Sequence, residues 1–527
     1  MTGQERTEAE LAKRAGVVAI GTLISRVLGF AREMFLAGVL GAGYAADAFY
    51  VAFRIPNMLR ELFAEGSMSA GFIPVFTEYL HRSRDAARAL VGAVFTTLLL
   101  LLGVVVGLGI LFSEQIVGWV APGFATSLEQ VRLTTTLTRI MFPFLLFISL
   151  AALAMGIANS LGQFAPGAFS SSVFNVVSIL SLFLSLPFLT HPVYGAAIGV
   201  TLGGVAQCLV QFPTLYKEGM SLSLQAIWPP NPGVRQIGRL LVPTLVGLSV
   251  VQINLLVNTW LASTLPAGSV SFLYYGMRLI HFPLGIFAVA LSTVLLPTLS
   301  KNAAEEDVAA LSETTGFALR FLFFVIAPAM TGLIFLRMPI VHLVYEHGAF
   351  DPAATVGVAN AVFYYALGLW AFAGIRIVVP VFYALQDTRT PMRIAILAMG
   401  LNITLSLLLL GPLQYGGLAL STAASAIFQF CALCLMLRRR LPRGTPSSGG
   451  RSWRAYWKVG ISCGMIALPA IWVRQQTLWQ MDGAWGAKIM LFLFALITGI
   501  VGYGAVHALL KSEELAFCIR LIKNRRF

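Results

Sequence analysis

Charged residues are scarce in this chain of 527 residues: Asp, Glu, Lys and Arg together make up 11% of it, whereas 58% of the residues are hydrophobic. Soluble domains carry about 25% charged residues, so this composition excludes an ordinary soluble fold. Apolar runs of twenty or more residues recur along the sequence, and each is long enough to cross a bilayer as a helix. We therefore expect an all-α polytopic membrane protein.

Acidic residues are the rarer of the two charges, with 22 Asp and Glu against 36 Lys and Arg. A basic excess can indicate nucleic-acid binding. Here, however, the basic residues lie in short loops between apolar runs, where membrane orientation explains them better. We expect no nucleic-acid partner.

Cysteine and the motifs of common enzyme sites are also sparse. Five cysteines are present, and the CxxC of Cys431 and Cys434 has no second ligand pair nearby, which favours small packing residues over metal ligands. The sequence contains no GxxxxGK, no HExxH and no convincing nucleophile–base grouping. We expect no metal, no cofactor and no enzymatic activity. A membrane-embedded glycosyltransferase or acyltransferase stays an alternative, because such enzymes can lack these signatures.

Length, turn residues and charge divide the chain into about fourteen predicted transmembrane spans. An open sheet edge is not tolerated in hydrocarbon, and the runs are too continuous for barrel strands, so the spans should be helices. The first apolar run exceeds the core of a signal peptide and should be retained. The predicted spans cover residues 14–40, 46–80, 86–112, 130–160, 166–189, 193–216, 236–263, 269–300, 308–347, 353–386, 391–412, 416–438, 453–474 and 486–512.

The basic residues outside these spans predict the orientation. With a cytoplasmic N-terminus, 24 of the 36 Lys and Arg fall on predicted inner segments, whereas Arg132, Arg474 and Lys488 fall at outer ends. Since cytoplasmic loops carry the excess of Lys and Arg, both termini should be cytoplasmic.

An internal repeat predicts two lobes. GAGYAADAFYVAFRIPN resembles PAGSVSFLYYGMRLIHFP, and NSLGQFAPGAFSSSVFN resembles ALQDTRTPMRIAILAMG, at offsets of 223 to 225 residues that match Arg54 with Arg278. With six spans in each copy, the two lobes are parallel repeats, a common transporter plan. We predict an N-terminal lobe over 1–216, a cytoplasmic linker over 217–235, a C-terminal lobe over 236–440, a basic cytoplasmic loop over 441–452, and two further helices with a cytoplasmic tail over 453–527.

Nine arginines nevertheless lie inside the predicted spans. Each would cost about 2.5 to 3.5 kcal/mol at the bilayer centre. They should therefore face a hydrated cavity, pair with acids, or reach a helix end, as we expect for Arg320 and Arg337. The nine are Arg26, Arg32, Arg54, Arg60, Arg139, Arg278, Arg320, Arg337 and Arg376.

Helical spacing groups the polar residues of the first two spans. Arg26 and Glu33 share a face of the first span, whereas Arg32 needs a distortion to join them, and Gly29 is the expected bend. In the second span Arg60 lies about a third of a turn from the main polar face, and Pro56 is the expected bend. That face carries Asp47, Arg54, Asn57, Glu61 and Glu65.

These charges fit two interpretations. They could be ion pairs that lock helices together, or they could line a cationic pocket for an anionic ligand. Arginine suits phosphate, because its planar guanidinium makes paired, charge-assisted hydrogen bonds and stays protonated.

Several segments resemble the MurJ (MviN) family of lipid II flippases, within the multidrug/oligosaccharidyl-lipid/polysaccharide exporter superfamily. They are SRVLGFARE, AADAFYVAFRIPNMLRELFAEG, FIPVFTEY, YYGMRLIHFP and YALQDTRTP. The resemblance runs from about Arg14 through the twelfth span and weakens in the last two. It implies a fourteen-helix, two-lobe protein of the bacterial inner membrane. Such a protein moves lipid II, the undecaprenyl-pyrophosphate-linked disaccharide-pentapeptide, to the periplasmic leaflet for peptidoglycan synthesis.

The resemblance also implies a binding site for the pyrophosphate-sugar headgroup in a cationic central cavity. Its substrate-binding arginines match Arg26, Arg32, Arg60 and Arg278, and its acidic positions match Asp47 and Glu65. Supporting charges and polar groups are then Glu33, Asp47, Arg54, Asn57, Glu61 and Glu65. The last two helices of the family form part of a groove for the prenyl tail. Membrane lipids and the peptidoglycan synthesis machinery are the further partners implied.

At two places this sequence departs from the family pattern, so the residue roles implied by the resemblance do not all apply. Some members place acidic residues where this chain has Met277 and His281, and His281 is interpreted as a packing or pore-lining residue rather than a proton carrier. Some members also hold sodium at a position that matches Asn258, Asn402, Ser406 and Thr422. The absence of a carboxylate from this set predicts a weak cation site.

Other functions and energy sources stay open from the sequence. A related exporter of another polyprenyl-linked sugar or of a drug would share the fold, although the arginines favour a phosphate-bearing ligand. Membrane potential, protons or an ion could each drive alternating access.

Overall fold

The computed structural model describes residues 3–62, 71–226, 231–305, 307–440, 448–481 and 483–523. Every regular element within these ranges is a helix, which confirms the predicted all-α class. The chain divides into two compact units, residues 1–270 with 347–350, and residues 271–346 with 351–527. The predicted lobe limits remain a prediction, and α11, defined below, counts with the first unit.

Several helices of the first unit begin at polar caps or prolines. Ser83 Oγ accepts a hydrogen bond from Ala86 N at 3.0 Å, and Asn231 Oδ1 accepts one from Gly233 N at 2.9 Å, which satisfies otherwise unpaired amides. The helices are α1 (Gly3–Leu40), α2 (Tyr44–Arg60), α3 (Ile73–Arg82), α4 (Arg84–Leu111), α5 (Ser113–Val120), α6 (Leu128–Met141), α7 (Phe144–Ser160), α8 (Ala165–Ser185), α9 (Pro192–Leu209), α10 (Phe212–Lys217) and α11 (Pro232–Ser263).

Small residues let α9 lie directly on α8. A Cβ atom on Gly199 would come within 2.9 Å of Ser178 O, and one on Gly203 within 2.7 Å of the Phe174 ring. Ser178 Oγ also donates a hydrogen bond to Gly199 O at 3.1 Å. Close approach through small residues is typical of helices in membranes. It fixes α8, the helix that packs against α1.

The second unit continues the helical pattern. Its helices are α12 (Ser269–Pro283), α13 (Val289–Ala304), α14 (Val308–Phe335), α15 (Arg337–Tyr345), α16 (Pro352–Ala366), α17 (Leu369–Ala384), α18 (Arg389–Leu413), α19 (Tyr415–Arg440), α20 (Ser448–Arg474), α21 (Trp485–Leu509) and α22 (Glu513–Lys523). A π-helical segment, Leu284–Ala288, joins α12 to α13.

A proline in α14 determines how α21 packs on it. Pro328 lies inside α14 and has no N–H to donate to the carbonyl four residues earlier. That carbonyl, Phe324 O, instead accepts a hydrogen bond from Tyr503 of α21 at 2.7 Å. The tyrosine hydroxyl therefore satisfies an acceptor that the helix itself cannot pair.

A buried polar chain links α21 to α15. Lys488 is 2% exposed, and its Nζ lies 3.1 Å from His342 Nε2. His342 Nδ1 lies 2.9 Å from Glu346 Oε1, and Thr355 donates a hydrogen bond to the other oxygen of that carboxylate. Glu346 lies in the connection that follows α15. Burial alone would raise its pKa, but the hydrogen bonds from His342 and Thr355 outweigh burial and lower the pKa below its usual value.

The terminal helix α22 folds back onto α14. Phe517 contacts Phe317 and Phe321, with ring centroids 5.1 and 5.5 Å away. Glu514 Oε1 lies 3.8 Å from Arg320 Nε, and both residues are buried. Arg320 therefore pairs with an acid, one of the environments expected for arginines inside spans, and α22 supplies the partner.

Nine of the described helical segments are long and apolar enough to cross a membrane, or up to eleven if two bent pairs each count as one span. The bent pairs lie within α11 and across α16 and α17. Some predicted spans match single helices, since residues 86–112 correspond to α4 and residues 391–412 to α18. Others divide into two helices, since residues 308–347 contain α14 and α15, and residues 353–386 contain α16 and α17. The fold is thus a polytopic helical one, whereas the count of fourteen stays a prediction. Neither α1 nor α2 is among the nine.

Candidate functional site: arginine clusters of the first helices

The first arginine cluster lies on α1. Arg32 Nη2 donates a hydrogen bond to Glu33 Oε1 at 2.7 Å, and its guanidinium carbon lies 5.1 Å from the ring centroid of Phe174 on α8. Glu33 is 2% exposed, so the ion pair is shielded from water. Away from water the dielectric constant is lower, and the attraction between the two charges is stronger. The prediction that Arg32 needs a distortion of the helix is wrong, because its long side chain reaches the next residue directly.

Gly29 provides room for a neighbouring helix rather than a break. The helix α1 runs from Gly3 to Leu40 without interruption, and a Cβ atom on Gly29 would lie 3.4 Å from Asn175 Nδ2. Asn175 Nδ2 donates a hydrogen bond to Ser25 O at 3.2 Å. Phe174 and Asn175 thus fix α8 on the stretch of α1 that carries Arg32. Arg26 is exposed on the same helix.

The second arginine cluster lies at the end of α2. Arg60 Nε donates a hydrogen bond to Asn57 Oδ1 at 3.0 Å, and Asn57 Nδ2 donates one to Glu61 Oε1 at 3.1 Å. Gln252 of α11 donates to the other oxygen, Glu61 Oε2, at 2.6 Å. The structure therefore brings Arg60 to the polar face from which helical spacing separated it. Sequence analysis missed Gln252, and also missed the α8 partners of the first cluster.

The helix changes geometry where this cluster forms. The helix α2 continues past Pro56 to Arg60, and Glu61 and Leu62 then adopt π-helical geometry. The repeat offset of 223 to 225 residues places these two residues opposite the π-helical segment Leu284–Ala288. Segments of this kind occur frequently at functional sites. The matching positions agree with the repeat seen in the sequence.

The other supporting residues of the first unit differ in what surrounds them. Asp47 is 2% exposed, and its Oδ2 accepts a hydrogen bond from Gly268 N at 2.6 Å, so it anchors the segment that precedes α12. Arg54 is half-buried on α2. Glu65 lies outside the described residues.

Arg278 belongs to the second unit and is held by an aromatic neighbour. Its Nη2 donates a hydrogen bond to the hydroxyl of Tyr274 at 3.0 Å, and its guanidinium carbon lies 5.3 Å from the centroid of the same ring. The two residues are one helical turn apart, where side chains meet. His281, one turn further on, is exposed to solvent.

Other in-span arginines have structural partners. Arg139 Nε donates a hydrogen bond to Ser113 Oγ at 2.8 Å. Arg337 Nη1 donates one to Ile334 O at 2.7 Å, and its guanidinium carbon lies 4.8 Å from the Phe363 ring centroid. These contacts give each of the two guanidinium groups a partner within the protein.

The proposed cation position has a modest donor set. Asn402 and Ser406 are fully buried on α18, and Ser406 Oγ has no hydrogen-bond partner within the described residues. Thr422 Oγ1 donates back to Leu418 O at 2.9 Å. Asn258 is half-buried on α11 of the first unit. The described side chains also contain no group of three or more His, Cys, Asp or Glu that could hold a metal ion. Amide and hydroxyl oxygens without a carboxylate bind cations weakly.

The two clusters have the chemistry of an anion-binding surface. Arg32 and Arg60 are each followed in sequence by a glutamate that lies close to them. A guanidinium can exchange such a carboxylate for a phosphate, because both accept paired hydrogen bonds. A diphosphate ester could therefore compete with Glu33 or Glu61 for these arginines.

Comparison with known proteins identifies close relatives. A family model described as lipid II flippase MurJ matches residues 36–494. A probable lipid II flippase MurJ of Vibrio cholerae is 36% identical over 513 residues, which cover 95% of this chain and 95% of that protein. The lipid II flippase MurJ of Burkholderia cenocepacia is 39% identical over 424 residues, which cover 80% of this chain and 82% of that protein.

Solved structures agree with these sequence matches. A lipid II flippase MurJ in an inward closed conformation has a TM-score of 0.77 and 26% identity, and the match covers 94% of this chain and 98% of that one. An inward-facing multidrug resistance MATE family transporter of the MOP superfamily has a TM-score of 0.67. The match covers 81% of this chain and 98% of the transporter chain. At 13% identity, the second likeness concerns the fold alone.

Proposed function

Because the chain belongs to the family of MurJ lipid II flippases, we propose that it moves lipid II from the cytoplasmic to the periplasmic leaflet by alternating access. The observation that carries this proposal is the near-complete match to a probable lipid II flippase, 36% identical over 95% of both chains. A flippase changes the location of its lipid and no covalent bond, so the protein is a transporter and not an enzyme. Its role is in peptidoglycan synthesis.

The proposed ligand contacts are Arg26, Arg32, Arg60 and Arg278. The pyrophosphate of lipid II carries negative charge and oxygen acceptors that suit guanidinium groups. Arg32 and Arg60 support the assignment, because Arg32 holds a carboxylate that a phosphate can replace, and Arg60 Nη2 lies 3.7 Å from another. Arg278 is oriented by Tyr274, so little side-chain entropy would be lost when it binds.

The remaining polar residues are proposed to support these arginines. Glu33 and Glu61 would balance the charge of the empty site, Asn57 would orient Arg60, and Arg54 would add positive potential. Asp47 would anchor the chain before α12. Glu65 is proposed by family resemblance as a further supporting acid. A weak cation position at Asn258, Asn402, Ser406 and Thr422 completes the proposed site.

The location and the partners of the protein follow from its membership of the flippase family. The protein is multi-pass and resides in the bacterial inner membrane, where lipid II and membrane lipids surround it. We place both termini in the cytoplasm, because that orientation puts 24 of the 36 Lys and Arg on inner segments. Contacts with the peptidoglycan synthesis machinery are also proposed.

Depletion with complementation tests the function. Cells depleted of the protein should stop exposing lipid II on the outer leaflet, and the unsubstituted chain should restore exposure. Normal exposure after depletion, in a host without a second flippase, would overturn the proposal. Conversion of lipid II by the purified protein would instead indicate an enzyme.

Arginine substitutions test the site. Arg60→Ala and Arg278→Ala should abolish complementation at normal protein levels, because each removes a phosphate contact. Arg82→Ala is the matched control, since Arg82 is exposed and paired with Glu78. Full activity of both site variants would return these arginines to a structural role.

A further inference from the structure

Gln252 is a buried polar residue in an apolar stretch of α11. It is 5% exposed, and the surrounding sequence is LSVVQINLLVN. A buried amide costs free energy unless it is hydrogen-bonded. Its Nε2 meets this requirement through Glu61 Oε2, 2.6 Å away and 191 residues earlier in the chain.

The hydrogen bonds of this cluster converge on Glu61. Arg60 Nε donates to Asn57 Oδ1, and Asn57 Nδ2 donates to Glu61 Oε1. Gln252 donates to Glu61 from the opposite side. Glu61 therefore accepts at both oxygens, and its carboxylate plane is fixed between α2 and α11.

The chain transmits this constraint to Arg60. With Glu61 Oε1 fixed, the amide of Asn57 can present only its Oδ1 toward Arg60, and that oxygen holds Arg60 Nε. Arg60 Nη2 is also kept 3.7 Å from Glu61 Oε1. The guanidinium plane is thus set by a residue that does not touch it. The side chains of Arg60 and Glu61 retain 20% and 34% exposure, so the oriented group stays accessible.

We propose that Gln252 is a positioning residue for headgroup binding, which acts through Glu61 and Asn57 to orient Arg60. This inference rests on the proposed function of the arginines. It assigns α11 a part in recognition of the pyrophosphate through one neutral amide. A neutral donor is required because a carboxylate at this position would repel Glu61, and asparagine would be one methylene too short.

The test uses the full chain in proteoliposomes with lipid II at increasing mole fraction. Gln252→Ala should raise the mole fraction for half-maximal flipping by about tenfold, the effect of losing one hydrogen bond to a charged group. The maximal rate should stay within about twofold of the unsubstituted rate. Gln236→Ala is the matched control, since Gln236 lies on α11 and donates to Glu78 at an exposed site.

A swap of the two groups separates positioning from general packing. Gln252→Glu alone should weaken lipid II binding further, whereas the double variant Glu61→Gln, Gln252→Glu restores a donor–acceptor pair and should recover most of the apparent affinity. In an Arg60→Ala background, Gln252→Ala should add nothing. Unchanged half-saturation in Gln252→Ala, equal loss of maximal rate and affinity, or failure of the swap would each overturn the inference. Failure of the unsubstituted chain to flip lipid II would instead overturn the function.

Discussion

At the scale of single residues, two Arg–Glu neighbours in this chain have different surroundings. Glu33 beside Arg32 has 3% side-chain exposure, whereas Glu61 beside Arg60 has 34%. A buried ion pair strongly resists the loss of one partner, because the remaining charge stays desolvated. The α1 pair should therefore contribute more to integrity than the α2 pair.

Removal of Glu33 tests this difference. Glu33→Ala should lower the free energy of unfolding by about 3 to 5 kcal/mol, because it leaves the guanidinium of Arg32, whose side chain is 12% exposed, without its carboxylate. Glu78→Ala is the control, since Glu78 and Arg82 form an exposed pair that should contribute about 1 kcal/mol or less. Thermal unfolding in detergent measures both, and equal losses would contradict the assignment.

The sequence predicted most members of the two arginine clusters, but it did not predict their hydrogen-bond partners. Spacing on an ideal helix correctly grouped Asn57 with Glu61, but it separated Arg60 from them. The long arginine side chain and the π-helical geometry at Glu61 remove that separation. Gln252 could not be predicted, because one glutamine in an apolar helix has no periodic pattern and its partner is distant in sequence.

At the scale of whole helices, a proline and a tyrosine form a matched pair. Pro328 leaves Phe324 O without its helical donor, and Tyr503 supplies one. The contact could not be predicted from the sequence, because Pro328 lies on α14 and Tyr503 lies on α21, far apart in the chain. The pair fixes the register between these two helices.

A double-mutant cycle tests the match. Tyr503→Phe should lower the free energy of unfolding by about 1 kcal/mol, because Phe324 O is left buried and unpaired. In a Pro328→Ala background the same change should have little effect, since the backbone N–H regained at position 328 can pair that carbonyl. Tyr383→Phe at an exposed site is the control. Equal effects of Tyr503→Phe in both backgrounds, measured by thermal unfolding, would contradict the pairing.

Long apolar helices were predictable and short amphipathic ones were not. Predicted span 166–189 corresponds to α8, and 416–438 to α19, because each apolar run ends at turn or charged residues. The helices α5 and α22 were missed. The helix α22 has both charged and apolar faces within eleven residues, and its packing on α14 depends on Phe517 and Glu514.

At the scale of the whole molecule, charge distribution predicts the topology. The repeat predicted that α11 begins the second lobe, whereas α11 counts with the first unit. The apolar sequence of α11 does not indicate which unit it packs in. Its assignment depends on individual contacts such as Gln252 with Glu61 and Ser263 with Gly123.

Thiol labelling tests the orientation. In a variant without the five native cysteines, Gln475→Cys should react with a membrane-impermeant maleimide in intact spheroplasts, because it lies on a predicted periplasmic connection. Ser447→Cys, in the predicted basic loop, should react only after permeabilisation. The reverse pattern would contradict the proposed topology.

The distance in sequence between Glu61 and Gln252 also has a consequence for biogenesis. During synthesis, Glu61 on α2 waits 191 residues for its partner on α11. At about 5 to 20 residues per second, that wait lasts roughly 10 to 40 s. During this interval Glu61 has no donor from α11, so a ribosome stalled before α11 would leave the hydrogen-bonded cluster of Asn57, Arg60 and Glu61 without Gln252.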